Sequence, residues 1–402
     1  MAVTPGGTTP RTSRRDVIVV GGGVIGTAIA WRAARAGQAV TLIDPGGDDP
    51  RTGDKASLVA AGMLGPVSES VFGEQDLLNL NLHAIDRFPG FNRELEEAAG
   101  QHTGLRTEGT LAVAYDSGDL AALDRLTGFR RSIGLKAERL DARECRKLEP
   151  FLAPSTRGGV LATGDLSVDN RRYLAALRAA AAASGVTAIA GTVTAAGDGQ
   201  VQVTPPGKSA AQATTVTARH VVIAAGHATR ALDGVPAQIR SAIRPVKGQI
   251  LRLRHPASIP PLLTHTVRAI VQGHDLYFVP RADGELVVGA TQEERDDRDV
   301  TAGAVHDLLR DATMAVPAVS ELIFAEASAG LRPGTSDNGP VLGLVNAAGG
   351  DGSLIIAAGH YRNGILLSAI TADAVLALLR GQETHDAWAP FGPGRFQKAA
   401  TA

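Results

Sequence analysis

A glycine-rich turn between two apolar segments near the N-terminus limits the folds open to this chain. Val17–Val20 is a run of β-branched residues, typical of a buried parallel strand. Residues 21–26 follow with the pattern G-x-G-x-x-G, and the apolar residues then recur at the spacing of a helix. A second apolar run, 39–43, ends in Asp44. This order of strand, turn, helix, strand and acid predicts a dinucleotide-binding unit.

Each glycine of the pattern has a physical role in such a unit. Gly21 permits the tight turn, Gly23 lets the backbone approach a pyrophosphate, and Gly26 lets the helix pack close to the strand. The helix N-terminus directs free N–H groups and a positive dipole end at the phosphates. Asp44 lies where an acid accepts a hydrogen bond from an adenosine ribose, which argues against a 2′-phosphate. A purely structural glycine turn is the alternative, and the motif does not choose between NAD and FAD.

Composition excludes several classes of function. The 402-residue chain is 44% hydrophobic and 20% charged with a net charge of −1, so it predicts no binding of nucleic acid or of an anionic membrane. The single cysteine, Cys145, excludes an intramolecular disulfide and a cysteine-cluster metal site. The ten histidines show no metal-ligand spacing. We expect a cytoplasmic enzyme without a metal and, because no apolar run reaches about 18 residues, without a transmembrane helix.

The remaining chain predicts a second domain inserted into the first. Buried strands at 220–226 and 354–359 lie far from the first strand but share its apolar pattern, which indicates a discontinuous nucleotide-binding domain. Shorter strands between 244 and 288 predict an antiparallel or mixed sheet in the second domain. The predicted fold class is therefore α/β, a Rossmann-like domain with an α+β second domain. The predicted boundaries are a disordered tail at 1–13, the nucleotide-binding domain at 14–92, 160–238 and 326–385, the second domain at 93–159 and 239–325, and a C-terminal tail at 386–402.

Two segments allow two interpretations each. Residues 56–66 are mostly small, which suits either a helix packed tightly on the sheet or a backbone that approaches a cofactor closely. Arg332, between Gly330 and Gly334, is either an exposed loop arginine or a guanidinium on a rigid turn. In the second case its fork would bind a carboxylate through parallel hydrogen bonds.

Three further stretches carry a family resemblance. They are 277–291 (YFVPRADGELVVGAT), 330–343 (GLRPGTSDNGPVLG) and 359–366 (GHYRNGIL). With the glycine turn and 60–64 (AAGML), they resemble glycine oxidases, FAD enzymes of bacterial thiamin biosynthesis in the D-amino-acid oxidase-like family. The resemblance implies FAD, bound noncovalently because Cys145 is far from the position used for covalent attachment. The residues it implies for FAD binding are Gly21, Gly23, Val24, Ile25, Gly26, Asp44, Pro45, Ala56, Ser57, Ala61, Gly62, Met63, Val193, His360, Tyr361, Arg362, Asn363, Gly364, Ile365 and Leu366.

The resemblance also implies a pocket for a small amino acid in the inserted domain. Arg332 would pair with the substrate carboxylate, and Tyr277 and Arg362 would complete the pocket. Gln292 and Asp275 would flank it, where some relatives carry other residue types. The preference among glycine, sarcosine and a slightly larger amine therefore stays open.

The resulting prediction is an FAD-dependent oxidase of glycine, sarcosine or small D-amino acids. A hydride passes from the α carbon to flavin N5, the imine feeds thiazole assembly, and reduced flavin gives H₂O₂ from O₂. This transfer needs a neutral amine and good alignment, so His360 is not expected to act as a base. The expected partners are the amino acid and O₂, without nucleic acid or membrane, and the family implies a homo-oligomer, a dimer or a tetramer.

Three alternatives remain. The first is a D-amino-acid or secondary-amine dehydrogenase of the same fold that uses an acceptor other than oxygen. An NAD-linked reductase is disfavoured because the sequence has no second dinucleotide fingerprint and no pair of redox cysteines. A flavin-binding protein without catalysis is disfavoured because Arg332 and Arg362 are both present.

Overall fold

The computed structural model describes residues 15–46, 55–197, 199–345 and 352–400. The tail predicted at 1–13 lies outside the described residues. The helices are α1 (Val24–Arg35), α2 (Ala56–Val59), α3 (Gln75–Ala99), α4 (Ser117–Ser132), α5 (Ala142–Leu148), α6 (Asn170–Ala183), α7 (Ala237–Ala242), α8 (Ala302–Ala315) and α9 (Gly364–Leu379). The strands are β1 (Val17–Val20), β2 (Val40–Asp44), β3 (Met63–Leu64), β4 (Thr110–Ala114), β5 (Glu138–Asp141), β6 (Gly158–Ala162), β7 (Leu166–Ser167), β8 (Thr187–Ala190), β9 (Thr192–Gly197), β10 (Gln200–Thr204), β11 (Thr214–Thr217), β12 (His220–Ile223), β13 (Arg244–Arg254), β14 (Thr266–Val271), β15 (His274–Pro280), β16 (Glu285–Gly289), β17 (Ile323–Gly334), β18 (Val341–Val345) and β19 (Ser353–Ala358).

The first sheet has the order β18-β19-β12-β1-β2-β8. All its pairs are parallel except β18 with β19. β1 is buried along its whole length, as its uninterrupted apolar sequence requires for a strand covered on both faces. The predicted Rossmann-like α/β class is confirmed in this sheet.

A layer of helices α1, α3, α6 and α9 covers one face of the first sheet. Its core contains Trp31 and Phe91, whose ring centroids lie 5.1 Å apart in an edge-to-face arrangement. Residues 361–379, which include α9, are long and apolar enough to span a membrane, but 61% of the stretch is buried inside the protein. Contacts with α1 and α3 account for this burial and mark α9 as a core helix.

The second sheet has the order β17-β13-β16-β15-β14-β4-β6-β5. Its pairs are antiparallel apart from β14 with β4. One face packs on α8 in a separate apolar core that includes Phe278 and Val288. The mixed sheet predicted for the second domain is therefore present.

Some of the predicted domain boundaries fall inside helices or strands. The boundary at 159/160 cuts β6, the boundary at 92/93 cuts α3, and the boundary at 325/326 cuts β17. β17 belongs to the second sheet, although its glycines and proline hide the alternation of a strand. The predicted C-terminal tail begins with buried Trp388 and Phe391, which pack in the helix-layer core. The division into two domains itself stays a prediction.

Candidate active site

Residues from both sheets line one cavity of about 450 Å³, a volume in the range of small-molecule sites. On the first sheet the cavity lies at the carboxyl ends of the parallel strands, where ligands bind in open α/β sheets. On the second sheet it meets residues of β13, β15 and β17. The cavity can therefore hold a nucleotide cofactor at one end and a small molecule at the other.

The three fingerprint glycines lie as their predicted roles require. Gly21 has φ +106°, a left-handed conformation that favours glycine. A Cβ on Gly26 would lie under 3.0 Å from the carbonyl oxygen of Gly21, so only glycine allows α1 to pack this close to the turn. Gly23 is the N-cap of α1 and provides no side-chain cap. The N-terminus of α1 thus faces the cavity, and its N-cap is a glycine without a side chain, which suits the binding of a pyrophosphate.

Asp44 lies at the carboxyl end of β2, inside the cavity lining. Its Oδ2 accepts a hydrogen bond from the Gly22 N–H at 2.7 Å, and its Oδ1 accepts one from the Gly46 N–H at 2.9 Å. Lys55 Nζ forms an ion pair with Oδ1 at 2.9 Å. The carboxylate therefore joins the glycine turn to the start of α2, and sequence reasoning missed Lys55 because it belongs to no motif.

Most residues predicted to bind FAD line this cavity. Three do not line it, and their role in FAD binding stays a prediction. Gly26 packs against Gly21, Asn363 is buried and its N–H donates to the His360 carbonyl at 2.9 Å, and Leu366 lies in the helix-layer core. The helical turn at the start of α9 explains Leu366, since neighbouring side chains on a helix point in different directions. The predicted residues that line the cavity are Gly21, Gly23, Val24, Ile25, Asp44, Pro45, Ala56, Ser57, Ala61, Gly62, Met63, Val193, His360, Tyr361, Arg362, Gly364 and Ile365.

The small-residue segment at 56–66 fits both interpretations offered for it. It lines the cavity, and it is also packed tightly, because a Cβ on Gly62 would lie under 3.0 Å from the Val168 carbonyl oxygen. The buried Arg281 side chain fixes this region by donating to the carbonyls of Val168 at 2.8 Å and Ala61 at 2.5 Å. The close packing thus sets the position of the backbone that faces the cofactor end.

Arg332 lies on β17 rather than on the turn expected for it. Its Nη1 donates to the Thr291 carbonyl at 3.2 Å and to the Lys247 carbonyl at 3.4 Å. A Cβ on Gly248 would overlap the guanidinium, so this glycine of β13 makes room for the arginine. Among the described residues no carboxylate forms an ion pair with Arg332, so its charge is available to an anion in the cavity.

Tyr277 lies on β15 in the same part of the cavity. Its hydroxyl lies over Gly289, where an added Cβ would approach the oxygen to 2.5 Å. Burial raises the pKa of Tyr277, and the nearby Arg332 guanidinium opposes that rise. The tyrosine is therefore protonated near neutral pH and lies beside the arginine, as predicted for a shared pocket.

His360 is buried and neutral. Its Nε2 lies 3.1 Å from the Thr371 hydroxyl, and burial lowers the pKa of His360 to about 3. A neutral imidazole with so low a pKa cannot take up a proton near pH 7, which agrees with the expectation that it is not a base.

This burial predicts an acid-side loss of stability. The pKa of His360 is lower in the folded state than in the unfolded chain, so the unfolded chain binds the extra proton between pH 6.5 and 3. Stability from this group is complete above pH 6.5 and falls as the pH drops. Between pH 7 and pH 5 the wild type should lose about 2 kcal/mol that His360→Gln does not lose, measured by urea unfolding. Equal losses in both proteins would contradict the assignment.

The remaining residues predicted for the substrate pocket lie at the edge of the cavity or outside it. Arg362 lines the cavity with an exposed side chain, and its guanidinium carbon lies 5.3 Å from the ring centroid of Tyr361. Gln292 and Asp275 are exposed and do not line the cavity, which corrects their expected flanking position. Asp275 lies next to the hairpin turn of β15, and Gln292 follows the end of β16.

Several cavity residues were not predicted from sequence. Besides Lys55 they include Glu69, Gly248 and Ile250. Glu69 forms an ion pair with Arg268 on β14 at 2.7 Å. None of them belongs to a local motif, and they meet only because strand pairing brings distant segments together. In the described part of the chain, no group of three or more His, Cys, Asp or Glu could hold a metal ion.

Comparison with known proteins places this geometry in a family. A family model described as DAO, FAD dependent oxidoreductase, matches residues 16–378. The chain belongs to this family. Its members depend on FAD, and the glycines of residues 21–26, the N-terminus of α1 and Asp44 are the groups that fit the pyrophosphate and ribose of this cofactor. FAD as the cofactor and the resemblance stated from sequence are thereby confirmed.

The relatives of this FAD-dependent oxidoreductase include glycine oxidases. The glycine oxidase of Geobacillus kaustophilus is 36% identical over 94% of this chain and 97% of that protein. A crystal structure of glycine oxidase from the same species has a TM-score of 0.82 at 34% identity, over 96% of this chain and 99% of that chain. The bifunctional protein ThiO/ThiG of Trichormus variabilis is 32% identical over 96% of this chain, which spans 56% of that longer protein. A putative thiamine biosynthesis oxidoreductase ThiO of Rhizobium etli is 31% identical over 89% of this chain and 94% of that protein.

Proposed function

We propose that the protein is a glycine oxidase that also accepts sarcosine or small D-amino acids, uses O₂ as the acceptor, and supplies its imine to thiazole assembly. The observation that carries this proposal is Arg332, an arginine without an ion-pair partner among the described residues. It lies beside Tyr277 in the cavity that is also lined by the residues predicted to bind FAD. The names of the relatives support the choice of glycine and the link to thiamine.

FAD, once bound, supplies an acceptor for a hydride from the carbon that bears the amine. The residues that would hold it are the fingerprint glycines, Asp44, Ser57, Val193 and the segment 360–365. The protein contributes position and charge to this chemistry, and His360 cannot take up a proton near pH 7 because burial lowers its pKa to about 3. His360 is neutral with its Nε2 beside Thr371, so it serves as a packed wall of the cavity.

Arg332 and Tyr277 hold the substrate in this scheme. The guanidinium would bind the substrate carboxylate through its free edge while Nη1 stays bonded to the Thr291 carbonyl. The tyrosine hydroxyl is a protonated donor beside it and limits the space for a side chain. Fixing the carboxylate in this way orients the α carbon, and orientation is the main rate contribution expected of the protein.

The decisive experiment is anaerobic reduction followed by oxygen uptake. The purified yellow protein should lose its visible flavin absorbance when glycine is added under nitrogen, and glycine should then drive O₂ consumption with formation of H₂O₂. If glycine bleaches the flavin without O₂ uptake, and a quinone then restores the flavin absorbance, the protein is instead a dehydrogenase. A protein that stays yellow with glycine, sarcosine and small D-amino acids would overturn the proposal.

Gly248→Ala tests the room made for Arg332. The new methyl group would meet the end of a flexible side chain, so the guanidinium should shift while the fold is kept. We expect KM for glycine to rise by about tenfold or more with little change in the melting temperature, because the loss is one of carboxylate binding. Gly197→Ala is the control, since nothing lies within 4 Å of a Cβ at that strand glycine. An unchanged KM in Gly248→Ala would contradict this role.

Location and assembly complete the proposal. The net charge of −1 and the single cysteine support a cytoplasmic protein that binds neither nucleic acid nor membrane. A dimer or tetramer is proposed from the family resemblance. Sedimentation velocity would measure the assembly, and a monomer at micromolar concentration would contradict it.

A further inference from the structure

A negatively charged side chain lies in the cavity near Tyr277, and nothing in the proposed reaction uses it. Glu69 lines the cavity, and its carboxylate forms an ion pair with Arg268 at 2.7 Å. The side chains of Glu69 and Arg268 are 12% and 24% exposed, so the pair is sheltered from water, and Glu69 is its member that lines the cavity. Charges in such a site act on a bound ligand more strongly than charges on the surface.

The loop that carries Glu69 is held by two buried charged side chains. Asp165, which is fully buried, accepts hydrogen bonds from the N–H groups of Val67 and Ser68, both at 3.1 Å. Arg130, also buried, donates to the Ser68 carbonyl at 2.6 Å and the Ser70 carbonyl at 3.3 Å. The backbone on both sides of position 69 is therefore fixed without any contribution from the Glu69 side chain.

Strand register places Arg268 directly beside Tyr277. The two residues are paired across β14 and β15, so their side chains share one face of the second sheet. Tyr277 is in turn paired with Gly289 on β16, and Gly289 with Ile250 on β13, the strand that also carries Gly248 beneath Arg332. Tyr277 thus lies between two guanidinium groups, of which only Arg268 has a carboxylate partner.

We propose that Glu69 restricts the substrate to amines with a single carboxylate by neutralising Arg268, and that removing its charge admits amines with a second carboxylate. Arg332 then carries the positive charge available to an anion on this face of the second sheet, as far as the described residues of β13–β17 show. This inference rests on the proposed function, since it concerns the substrate class of the same pocket.

The charges in the cavity give the physical reason why a second carboxylate is excluded. A substrate with one carboxylate matches Arg332 and leaves the Glu69–Arg268 pair undisturbed. A second carboxylate would face the anionic Glu69, and two like charges in a sheltered site repel each other strongly. With glutamine at position 69, the guanidinium of Arg268 would lack its ion-pair partner and could bind that second carboxylate.

The test compares Glu69→Gln, Arg268→Gln and the double variant in the flavin-loaded protein. Glu69→Gln should raise kcat/KM for iminodiacetate and D-aspartate relative to glycine by about tenfold or more. Arg268→Gln should not raise this ratio, and the double variant should lose most of the gain, because it lacks the free guanidinium that binds the second carboxylate. Glu326→Gln is the matched control, because Glu326 also pairs with an arginine at 2.7 Å but does not line the cavity.

A binding measurement separates this inference from the proposed function. Isothermal titration calorimetry should show that Glu69→Gln binds succinate about tenfold more tightly than the wild type, with acetate binding nearly unchanged. If the wild type does not oxidise glycine, the proposed function fails, and the succinate titration still decides the role of Glu69. Unchanged succinate affinity in Glu69→Gln, or equal gains in the single and double variants, would overturn the inference.

Discussion

Replacing Arg332 with alanine is expected to lower kcat/KM for glycine by a factor of about 30 to 1,000. The lost interaction is a charge-assisted pair in a sheltered site, worth about 2–4 kcal/mol of transition-state binding. Arg332→Lys should recover only part of the loss, because an ammonium lacks the fork that binds a carboxylate in two places. Stopped-flow reduction of the flavin by glycine under nitrogen measures the loss in Arg332→Ala and the partial recovery in Arg332→Lys.

The control for this prediction is Arg254→Ala, which removes an exposed arginine at the far end of β13, the strand that pairs with β17. It should leave reduction by glycine unchanged. The flavin content of the Arg332 variants should stay near that of the wild type, since the predicted role concerns the carboxylate of the substrate. Near-normal turnover of glycine by Arg332→Ala would show that another group binds this carboxylate.

Gly26→Ala is expected to destabilise the protein by about 3 kcal/mol. The added methyl group would lie under 3.0 Å from the carbonyl oxygen of Gly21, a backbone atom that cannot turn aside. Helix α1 would have to move away from β1, and the turn that faces the pyrophosphate would open. Urea unfolding measures the stability, and fluorescence titration with FAD should show weaker binding.

Gly128→Ala makes the same chemical change in helix α4 and is the matched control. Nothing lies within 4 Å of a Cβ at this position. The substitution should therefore stabilise the protein slightly, by up to about 1 kcal/mol, because alanine favours the helix more than glycine does. Equal effects of the two substitutions would mean that helix propensity, and not the contact with Gly21, governs position 26.

The parts of the fold that could be predicted are those with local causes. The glycine turn, β1, α1 and β2 follow from apolar periodicity and from glycine geometry within about thirty residues. β17 was not expected as a strand, because the glycines and proline around Arg332 resemble a turn. Its eleven register pairs with β13 come from tertiary packing, which no local pattern reports.

The same distinction between local causes and tertiary packing applies to the residues of the candidate site. Gly21, Gly23 and Asp44 could be placed from their motif, and Tyr277 and Arg332 from the family resemblance. Lys55 and Glu69 could not, because neither belongs to a local motif and no sequence pattern links them to their ion-pair partners Asp44 and Arg268. Leu366 lies in the core and not in the cavity lining, and a sequence motif does not reveal which face of a helix its members occupy.

The strand order of the first sheet sets the timing of assembly during synthesis. β1 is flanked by β2 and β12, and β19 and β18 complete that edge. These late strands leave the ribosome only after the whole second sheet has been made. The nascent chain therefore has an incomplete nucleotide site and an unpaired β12 edge until late in translation, when β19 and β18 close that edge and the site for FAD becomes complete.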